Sequence, residues 1–368
     1  MSHTISPSPR LRRSAFYNAT IRDGVTSFAP YNHMLMPTGY GDPEAEYKRL
    51  TEGVAMWDVS VERQVELHGP DAGKLAQALV PRRLAEMPVG QGWYVAVCDH
   101  RGTLINDPIL LKLAEDRYWL SIADSDLLLW ARAVAGERGY QVDVFEPDVS
   151  PLAVQGPLAE DTMADMLGDW VREIRHFEVR PVDDDIPMML ARSGWSKQGG
   201  FEIYLMDSAR GEELWDRVRA AGQKYGIGPG NPNPQERVES ALLSWGGDTD
   251  DDTNPFEVRM TRFVDLDAPD DVIGIQALRR IKEEGPKRWQ LGVKLQLEGR
   301  LPYLDQPSEI RRDGAFVGRI TAHAFSPKLQ QNIGMCLISR EVKPGDEVDV
   351  TLPTGERCKG QMCKLPFV

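Results

Sequence analysis

The segment 288–368 restricts the fold more than any other part of the chain, because it contains no convincing helical pattern. It consists of short strand-like runs separated by the turn sequences RDGA, KPGD and PTGE. Glycine in such sequences supplies the backbone angles that close tight turns between strands. We therefore expect a small β-barrel or jelly-roll, with EEGPKRW as a linker and domains at 1–284 and 285–368.

The region before this segment shows a mixed pattern, so we expect an α+β protein. In RQVELHG (63–69), Val65 and Leu67 alternate with polar residues, which is typical of a half-buried strand. SDLLLWARAVAGERG (125–139) predicts an amphipathic helix that ends at a glycine. The same reasoning predicts strands at 54–60, 93–99, 103–113 and 118–124, strand-then-helix units at 151–167 and 187–222, and helices at 44–50, 70–79, 235–244 and 275–284.

Length and charge exclude several classes of protein. The 368 residues are too many for one typical core, and the formal net charge of −13 argues against nucleic acid and anionic membranes as partners. No run approaches the roughly 18 apolar residues of a membrane helix. The opening MSHTISPSPRLRRSAFYN lacks the apolar core of a secretory signal and resembles a disordered lead-in. We expect a cytoplasmic monomer or homodimer.

Three polar features have ordinary interpretations. The acidic run DTDDDTN (248–254) is interpreted as a solvated loop, and GIGPGNPNP (226–234) as a turn-rich loop rather than a phosphate cradle. The cysteines form no CxxC pair and have no histidine at zinc spacing, which predicts free thiols in a reducing cytosol and no metal site. These cysteines are Cys98, Cys336, Cys358 and Cys363.

The stretch ARSGWSKQGGFEIYL (191–205) is strand-like but interrupted by WSKQGG. The glycines of this connecting loop permit unusual backbone angles or close backbone approach. Glu202 and Tyr204 project from one face of the strand FEIYL, and its apolar residues take the other face. With the apolar face in the core, Glu202 and Tyr204 face solvent or a cavity. Spacing alone leaves open an ordinary hairpin and a binding site.

This stretch resembles the signature of the aminomethyltransferase family, which comprises the T-protein of the glycine cleavage system and its relatives. Trp195 stands where the family pattern has a tyrosine. The resemblance continues in order along nearly all of the chain after the first thirty residues. It is carried by YNHMLMPTGY (31–40), GVAMWDVSVERQVELHGPDA (53–72), LAVQGP (152–157), NPFEVRMTRFVDLDAPDDVIGIQAL (254–278) and VGRITAHAFSP (317–327).

The resemblance implies a three-lobed cloverleaf, in which two interleaved α+β lobes bind folate and a C-terminal β-domain closes the ring. It implies tetrahydrofolate as the co-substrate, with Glu202 accepting hydrogen bonds from the pterin ring. A carboxylate is the matching bidentate acceptor for adjacent N–H donors. The resemblance also implies cofactor-binding roles for Tyr94, Phe177 and Phe325.

Several segments, among them YWLSIADSD and ERVESALLSWGGD, are similar to a demethylating branch of the family. That branch moves a methyl group from dimethylsulfoniopropionate to N5 of tetrahydrofolate, which gives 3-(methylthio)propanoate and 5-methyltetrahydrofolate. The T-protein has paired aspartates where this chain has Asn106 and Asp107. A thioether leaving group needs less acid–base help than an amine, so the single carboxylate favours methyl transfer. Both residues are catalytic candidates.

The resemblance also implies a donor site. A sulfonium cation suits an aromatic wall, which attracts it by roughly 0.5–2 kcal/mol. Trp195 and Tyr204 are expected nearest the sulfonium as binding and catalytic residues. Further substrate contacts are expected from Ser121, Tyr31, His33 and Met36.

The expected reaction is direct in-line transfer, in which N5 attacks the methyl carbon and positioning supplies most of the rate. Tyr204, or a water that it holds, accepts the proton. Because the step is redox-neutral, no metal, corrinoid or nicotinamide is expected. Two alternatives remain: demethylation of another onium compound or a methylamine (betaine or dimethylglycine type), and a non-catalytic folate-binding relative. The sequence leaves open which group binds the substrate carboxylate.

Overall fold

The computed structural model describes residues 8–368; the first seven residues, where the expected lead-in begins, lie outside this range. Its helices are α1 Tyr17–Arg22, α2 Pro43–Glu52, α3 Ala72–Leu79, α4 Leu127–Arg138, α5 Ala159–Leu167, α6 Gly211–Gly222, α7 Pro234–Ser240 and α8 Ile275–Glu284. Four short 3₁₀ segments lie at Asp169–Glu173, Ser208–Arg210, Gln223–Tyr225 and Thr261–Phe263.

The strands follow in chain order. They are β1 Ser27–Tyr31, β2 Met34–Gly39, β3 Ala55–Asp58, β4 Gln64–His68, β5 Gln91–Tyr94, β6 Val97–Cys98, β7 Leu104–Asn106, β8 Ile109–Ala114, β9 Arg117–Ser121, β10 Asp143–Phe145, β11 Ser150–Gln155, β12 Val179–Pro181, β13 Met188–Ala191, β14 Gly200–Leu205, β15 Gly228–Gly230, β16 Arg288–Gln296, β17 Ser308–Arg312, β18 Ala315–Ser326, β19 Gln331–Ser339, β20 Glu347–Thr351 and β21 Arg357–Cys363.

The chain forms two compact units and enters each more than once. Among the described residues, unit 1 comprises 8–73, 87–93 and 109–233, and unit 2 comprises 74–86, 94–108 and 234–368. The expected domain boundary between residues 284 and 285 stays a prediction. Within residues 8–368, no helix is both long enough and apolar enough to cross a membrane.

Unit 1 contains the hairpin β1–β2 and two larger sheets. The five-stranded sheet has the order β10-β4-β9-β8-β5, and the six-stranded sheet has the order β12-β13-β14-β11-β3-β15. β14 pairs antiparallel with both β11 and β13, so Glu202 lies opposite Ala153 on one side and Ala191 on the other. One face of β14 belongs to a large apolar core that also contains residues of α5 and α6, such as Met163 and Trp215.

Local signals explain where the helices begin and end. The Asp42 side chain accepts hydrogen bonds from the N–H groups of Glu44 and Ala45, and Pro43 occupies the first turn of α2. α4 ends at Gly139, whose φ of 64° is in the left-handed region. The predictions of both helices are confirmed.

Unit 2 contains a closed barrel of six strands in the order β16-β19-β18-β17-β20-β21. Buried aliphatic residues such as Val293, Ile310 and Ile338 fill it. RDGA joins β17 to β18, PTGE joins β20 to β21, and KPGD precedes β20. The prediction of a helix-free C-terminal β-domain is confirmed, and the domain is a barrel. All four cysteines belong to unit 2 and have free thiols.

Four local predictions are corrected. The expected strand at 93–99 is two strands, β5 and β6, which belong to different sheets. The expected strand at 103–113 is two strands, β7 and β8, separated at Asp107–Pro108, because proline cannot donate to a strand ladder. The helix expected to reach residue 244 ends at Ser240, because Ala241 takes a φ of 53°. The expected loop at 226–234 contains β15, which pairs in parallel with β3.

The acidic run in unit 2 is not a solvated loop. Asp248 is fully buried and accepts hydrogen bonds from the Arg237 guanidinium, the Thr321 hydroxyl and the N–H of Ser244. Asp250 accepts two hydrogen bonds from the guanidinium of Arg288. The run therefore binds basic residues that are distant in the sequence, and the prediction is wrong for these two aspartates.

Replacing Asp248 by alanine is expected to lower the free energy of unfolding by about 3–5 kcal/mol, because the Arg237 charge is left buried without its partner. The matched change Asp252→Ala, in an exposed pair with Arg101, is expected to cost less than about 1 kcal/mol. Urea unfolding of both variants checks this. Similar losses in the two variants would contradict a structural role for the run.

Candidate functional site

The loop before β14 is held by close contacts that only glycine permits. Gly194 and Gly200 have φ angles of 148° and 144°. A Cβ atom at Gly194 would lie 2.0 Å from Nε2 of Gln155, and one at Gly200 would lie 2.2 Å from the carbonyl oxygen of Val154. Nε2 of Gln155 also donates to the Ser193 carbonyl at 3.0 Å. Of the two glycines in the WSKQGG loop, Gly200 shows the expected close backbone approach, whereas Gly199 shows only the unusual backbone angle, with a φ of 79°.

Glu202 is a nearly buried carboxylate with two donors on one of its oxygens. The hydroxyl groups of Ser193 and Tyr204 both donate to Oε2, the second at 3.3 Å. In the described part of the chain, no donor reaches Oε1. Burial raises the pKa of Glu202, and the two hydroxyl groups oppose this increase. Glu202 and Tyr204 share a face of β14 as predicted, but that face is not open to solvent.

A chain of hydrogen bonds leads to Glu202 from β4 and β9 of the other sheet. Nε2 of Gln64 donates to the carbonyl of Glu62 at 2.7 Å, which fixes the orientation of the amide. The same Nε2 lies 3.0 Å from Oγ of Ser121, and Ser121 hydrogen-bonds the phenol of Tyr204. We call Gln64, Ser121, Ser193, Glu202 and Tyr204 the carboxylate cluster.

Tyr204 is a hydrogen-bond donor in this cluster. Burial, followed by the negative charges of Glu202 and Glu62, raises the pKa of Tyr204 well above its ordinary value. Its ring packs against Trp119 with the centroids 5.8 Å apart. Because the phenol stays protonated near neutral pH, the structure favours donation to Glu202 over the proton acceptance expected from the sequence.

Trp195 and Phe177 lie in irregular segments of unit 1. Trp195 is partly exposed in the loop between β13 and β14. Phe177 precedes β12, is partly exposed, and has a φ of 60°, which is unusual for an aromatic residue. Its N–H donates to the Arg192 carbonyl at 2.9 Å. Backbone conformations of this kind are concentrated at functional sites.

The expected substrate contacts of the segment YNHMLM (31–36) lie on the hairpin β1–β2. Tyr31 and Met36 are partly buried, whereas His33 is exposed at the turn, with Nε2 3.5 Å from an oxygen of Asp126. Asn32, which was not predicted, is buried and donates to the carbonyl groups of residues 61 and 123 at 2.9 and 3.0 Å. Asn32 therefore fixes the hairpin, and His33 has no contact with the carboxylate cluster among the contacts of the described residues.

A second constellation lies in unit 2. The Tyr94 hydroxyl donates to Oδ2 of Asp107 at 2.6 Å, and the Tyr94 ring meets the Phe263 ring edge-on at 4.8 Å. Burial raises the pKa of Asp107 to about 7, although the hydrogen bond from Tyr94 opposes the increase. Asn106 is buried on β7. A carboxyl group that titrates near neutral pH is suited to proton transfer.

Phe325 lies on β18, partly buried, with the guanidinium of Arg300 4.6 Å from its ring centroid. The expected cofactor role of Phe325 stays a prediction. Among residues 8–368, no three His, Cys, Asp or Glu side chains form a group that could hold a metal ion.

Sequence reasoning missed Ser193, Gln64 and Arg259. Ser193 and Gln64 lie in segments that resemble the family, but nothing in their spacing marks them as partners of Glu202 or Tyr204. Arg259 lies beside Tyr94, where its charge lowers the pKa of the phenol. The sequence feature that could have indicated Arg259 is the pair of arginines in EVRMTRF, which follows the acidic run.

Comparisons with known proteins identify the family. A family model described as the GCVT N-terminal domain matches residues 16–268, and one described as the glycine cleavage T-protein C-terminal barrel domain matches residues 289–368. The chain belongs to the glycine cleavage T-protein family, and it has the α+β fold of that family with a closed C-terminal barrel.

Individual relatives cover nearly the whole chain. It is 42% identical to the dimethylsulfoniopropionate demethylase DmdA of Ruegeria pomeroyi over 96% of this chain and 97% of that protein. It is 29% identical to an aminomethyltransferase of Symbiobacterium thermophilum, over 97% of each chain. The crystal structure of the glycine cleavage system aminomethyltransferase T from Bartonella henselae matches with a TM-score of 0.85 at 24% identity, over 97% of this chain and 98% of that one.

The raised pKa of Asp107 predicts a pH-dependent contribution to stability. Between the ordinary value of 3.8 and the folded value of about 7, the folded protein binds more protons than the unfolded chain. The contribution is therefore complete below about pH 4 and is lost as the pH rises through about 7. We expect the stability of the wild type relative to Asp107→Asn to fall over this interval. Urea unfolding at several pH values measures the difference, and a difference independent of pH would contradict it.

Proposed function

We propose that this protein is a tetrahydrofolate-dependent demethylase that transfers a methyl group from dimethylsulfoniopropionate to N5 of tetrahydrofolate. The products are 3-(methylthio)propanoate and 5-methyltetrahydrofolate. The observation that carries the proposal is the 42% identity to a dimethylsulfoniopropionate demethylase along 96% of the chain. The four free thiols fit a reducing compartment, and we assign the reaction to the cytoplasm.

The carboxylate cluster is proposed to hold the pterin ring. Oε1 of Glu202 receives no hydrogen bond from the described residues, so it is available to pterin N–H donors while Oε2 stays bonded to Ser193 and Tyr204. Donors on a buried carboxylate favour its charged form, so a bound pterin would lower the pKa of Glu202. The burial cost of this carboxylate would then be offset by the ligand.

Trp195 is proposed to contact the sulfonium, because a partly exposed indole ring offers a cation–π surface. Tyr204 acts through its hydrogen bond to Glu202, and Ser121 through its hydrogen bond to Tyr204. We assign Phe177 and Phe325 to folate contacts, and Tyr31 and Met36 to the donor side. His33 is the weakest of the expected donor contacts, because it is exposed beside Asp126.

Asp107 is proposed as the proton acceptor. In the transfer, the methyl carbon–sulfur bond breaks with its electron pair going to sulfur, and a bond forms between N5 and the methyl carbon. N5 then carries a positive charge and releases its proton. With a pKa of about 7, Asp107 is ionised in a large fraction of molecules at neutral pH and can accept that proton. Tyr94 holds this carboxylate, and Asn106 stays an adjacent catalytic candidate.

The assay that tests the function combines the purified protein, tetrahydrofolate and dimethylsulfoniopropionate, with both products followed by liquid chromatography. We expect equimolar 5-methyltetrahydrofolate and 3-(methylthio)propanoate, and neither product without tetrahydrofolate. Absence of product with a protein that binds tetrahydrofolate would overturn the donor assignment. A panel of betaines and methylamines would then identify the donor.

Glu202→Gln is expected to weaken tetrahydrofolate binding by about 10- to 100-fold, because an amide offers one acceptor where a carboxylate offers two and loses the charge-assisted bonds. Glu212→Gln makes the same chemical change on the exposed side of α6 and is expected to bind normally. Isothermal titration calorimetry measures both affinities. Equal affinity of Glu202→Gln and the wild type would remove Glu202 from the pterin site.

A further inference from the structure

Arg259 in unit 2 is held in an unusual backbone conformation. Its φ of 65° lies in the left-handed region, which residues other than glycine seldom adopt. Its side chain is nevertheless anchored, because Nε donates to Oε1 of Gln290 at 2.9 Å and Nη2 donates to the carbonyl of Ala241. Ala241 itself has a φ of 53°. Two residues with strained backbones are therefore hydrogen-bonded to each other. Backbone strain of this kind is concentrated at functional sites.

The guanidinium of Arg259 has no carboxylate partner within 4 Å in residues 8–368. The nearby carboxylate of Asp248, whose charge acts on Arg259, is already bonded to Arg237 and Thr321. Arg259 is accessible to solvent, yet the protein atoms around it desolvate the guanidinium and lower its pKa. A desolvated cation without a counterion is stabilised when an anion binds to it.

Arg262 is a second cation without an ion pair among the described residues, and its charge acts on Arg259. Arg262 is exposed and stacks its guanidinium 4.6 Å from the ring centroid of Phe263. The charges of Arg259 and Arg262 both act on the hydroxyl of Tyr94, which itself donates to Asp107. Both guanidinium groups are therefore close enough to Tyr94 for their charges to act on its hydroxyl.

The lack of a carboxylate partner at Arg259 and Arg262 contrasts with the charge balance of the chain. It has 56 acidic residues and 43 lysines and arginines, so carboxylates are in excess. Arg288, in the same unit, is bonded to both Asp250 and Glu257. Although acidic residues are abundant, none of those described pairs with Arg259, so its charge can be neutralised by an anion from outside the chain.

We propose that Arg259, assisted by Arg262, binds a carboxylate group of one of the two co-substrates. The inference rests on the proposed function, in which both co-substrates are acids. Dimethylsulfoniopropionate has one carboxylate, and tetrahydrofolate has the carboxylates of its glutamate tail. The planar fork of an arginine matches a carboxylate in a bidentate geometry.

Calorimetric titration of the full-length protein distinguishes the two sources without requiring turnover. The acids are dimethylsulfoniopropionate and tetrahydrofolate. Their counterparts without a carboxylate are the neutral amide of the sulfonium compound and 6-methyltetrahydropterin. Arg259→Gly is the principal variant, because glycine takes a φ of 65° without strain, so the guanidinium is removed without new backbone strain. Arg280→Gln, on the exposed side of α8, is the matched control.

Arg259→Gly is expected to weaken binding of one acid by about 10- to 100-fold, the usual contribution of hydrogen bonds to a charged group, and to leave its neutral counterpart unchanged. Arg259→Lys is expected to restore part of the affinity, and Arg280→Gln to resemble the wild type. Which acid is affected identifies the source of the carboxylate.

Two outcomes would overturn the inference. One is that neither acid binds more weakly to Arg259→Gly; the other is that each acid and its neutral counterpart weaken equally. If the wild type binds tetrahydrofolate but not dimethylsulfoniopropionate, the donor in the proposed function is wrong, and the folate comparison still tests Arg259. If the wild type binds neither acid, both proposals fail.

Discussion

The six-stranded sheet of unit 1 depends on β14, because both faces of this strand are buried. Phe201, Ile203 and Leu205 pack into the large apolar core, and burial of each such side chain stabilises the fold by about 1.5–3 kcal/mol. The opposite face carries Glu202 and Tyr204. A shift of one residue in the register would exchange the faces and place a carboxylate in the apolar core. The same packing that stabilises the sheet therefore determines the direction in which Glu202 points.

Both candidate constellations contain a carboxyl group whose burial is only partly compensated. Ser193 and Tyr204 donate to one oxygen of Glu202, and Tyr94 donates to one oxygen of Asp107. The pKa of each carboxyl group is nevertheless raised. Asp250, with two arginine partners, instead has its pKa lowered to about 2. The difference lies in the partners, because arginine cations favour the charged form of Asp250, whereas the side chains that donate to Glu202 and Asp107 do so through neutral hydroxyl groups.

Local patterns could be predicted from the sequence, and contacts between distant residues could not. The two faces of β14 follow from the two-residue period of a strand, and the start of α2 follows from Asp42 and Pro43. The acidic run was misread because the partner of Asp250 is Arg288, which lies 38 residues further along the chain. The residues next to Asp250 in the sequence are mostly polar or acidic, which predicts exposure to solvent. The arginine that binds it is brought close only by the fold.

In the candidate site, too, motif positions could be predicted from the sequence, whereas the contacts between distant residues could not. The family resemblance led to Glu202, Tyr204 and Asp107, because they occupy positions in recognisable motifs. It did not lead to Gln64, whose hydrogen bond to Ser121 joins two strands of the five-stranded sheet. Nor did it assign Phe177 its φ of 60°, because the backbone conformation depends on the bond from its N–H to Arg192. Partners of functional residues are set by strand pairing, which single-residue patterns do not encode.

The negative net charge of the chain opposes the binding of anionic ligands, so nearby cations are needed to hold them. With a formal net charge of −13, the protein repels anions at long range, although physiological salt screens this field beyond about 8 Å. A zwitterion such as dimethylsulfoniopropionate experiences little net repulsion, whereas the glutamate tail of a folate does. A bound anionic group is therefore stabilised most where cations without an internal partner lie within a few ångströms of it. Unpaired guanidinium groups beside Tyr94 meet that condition, and paired ones such as those of Arg237 and Arg288 do not.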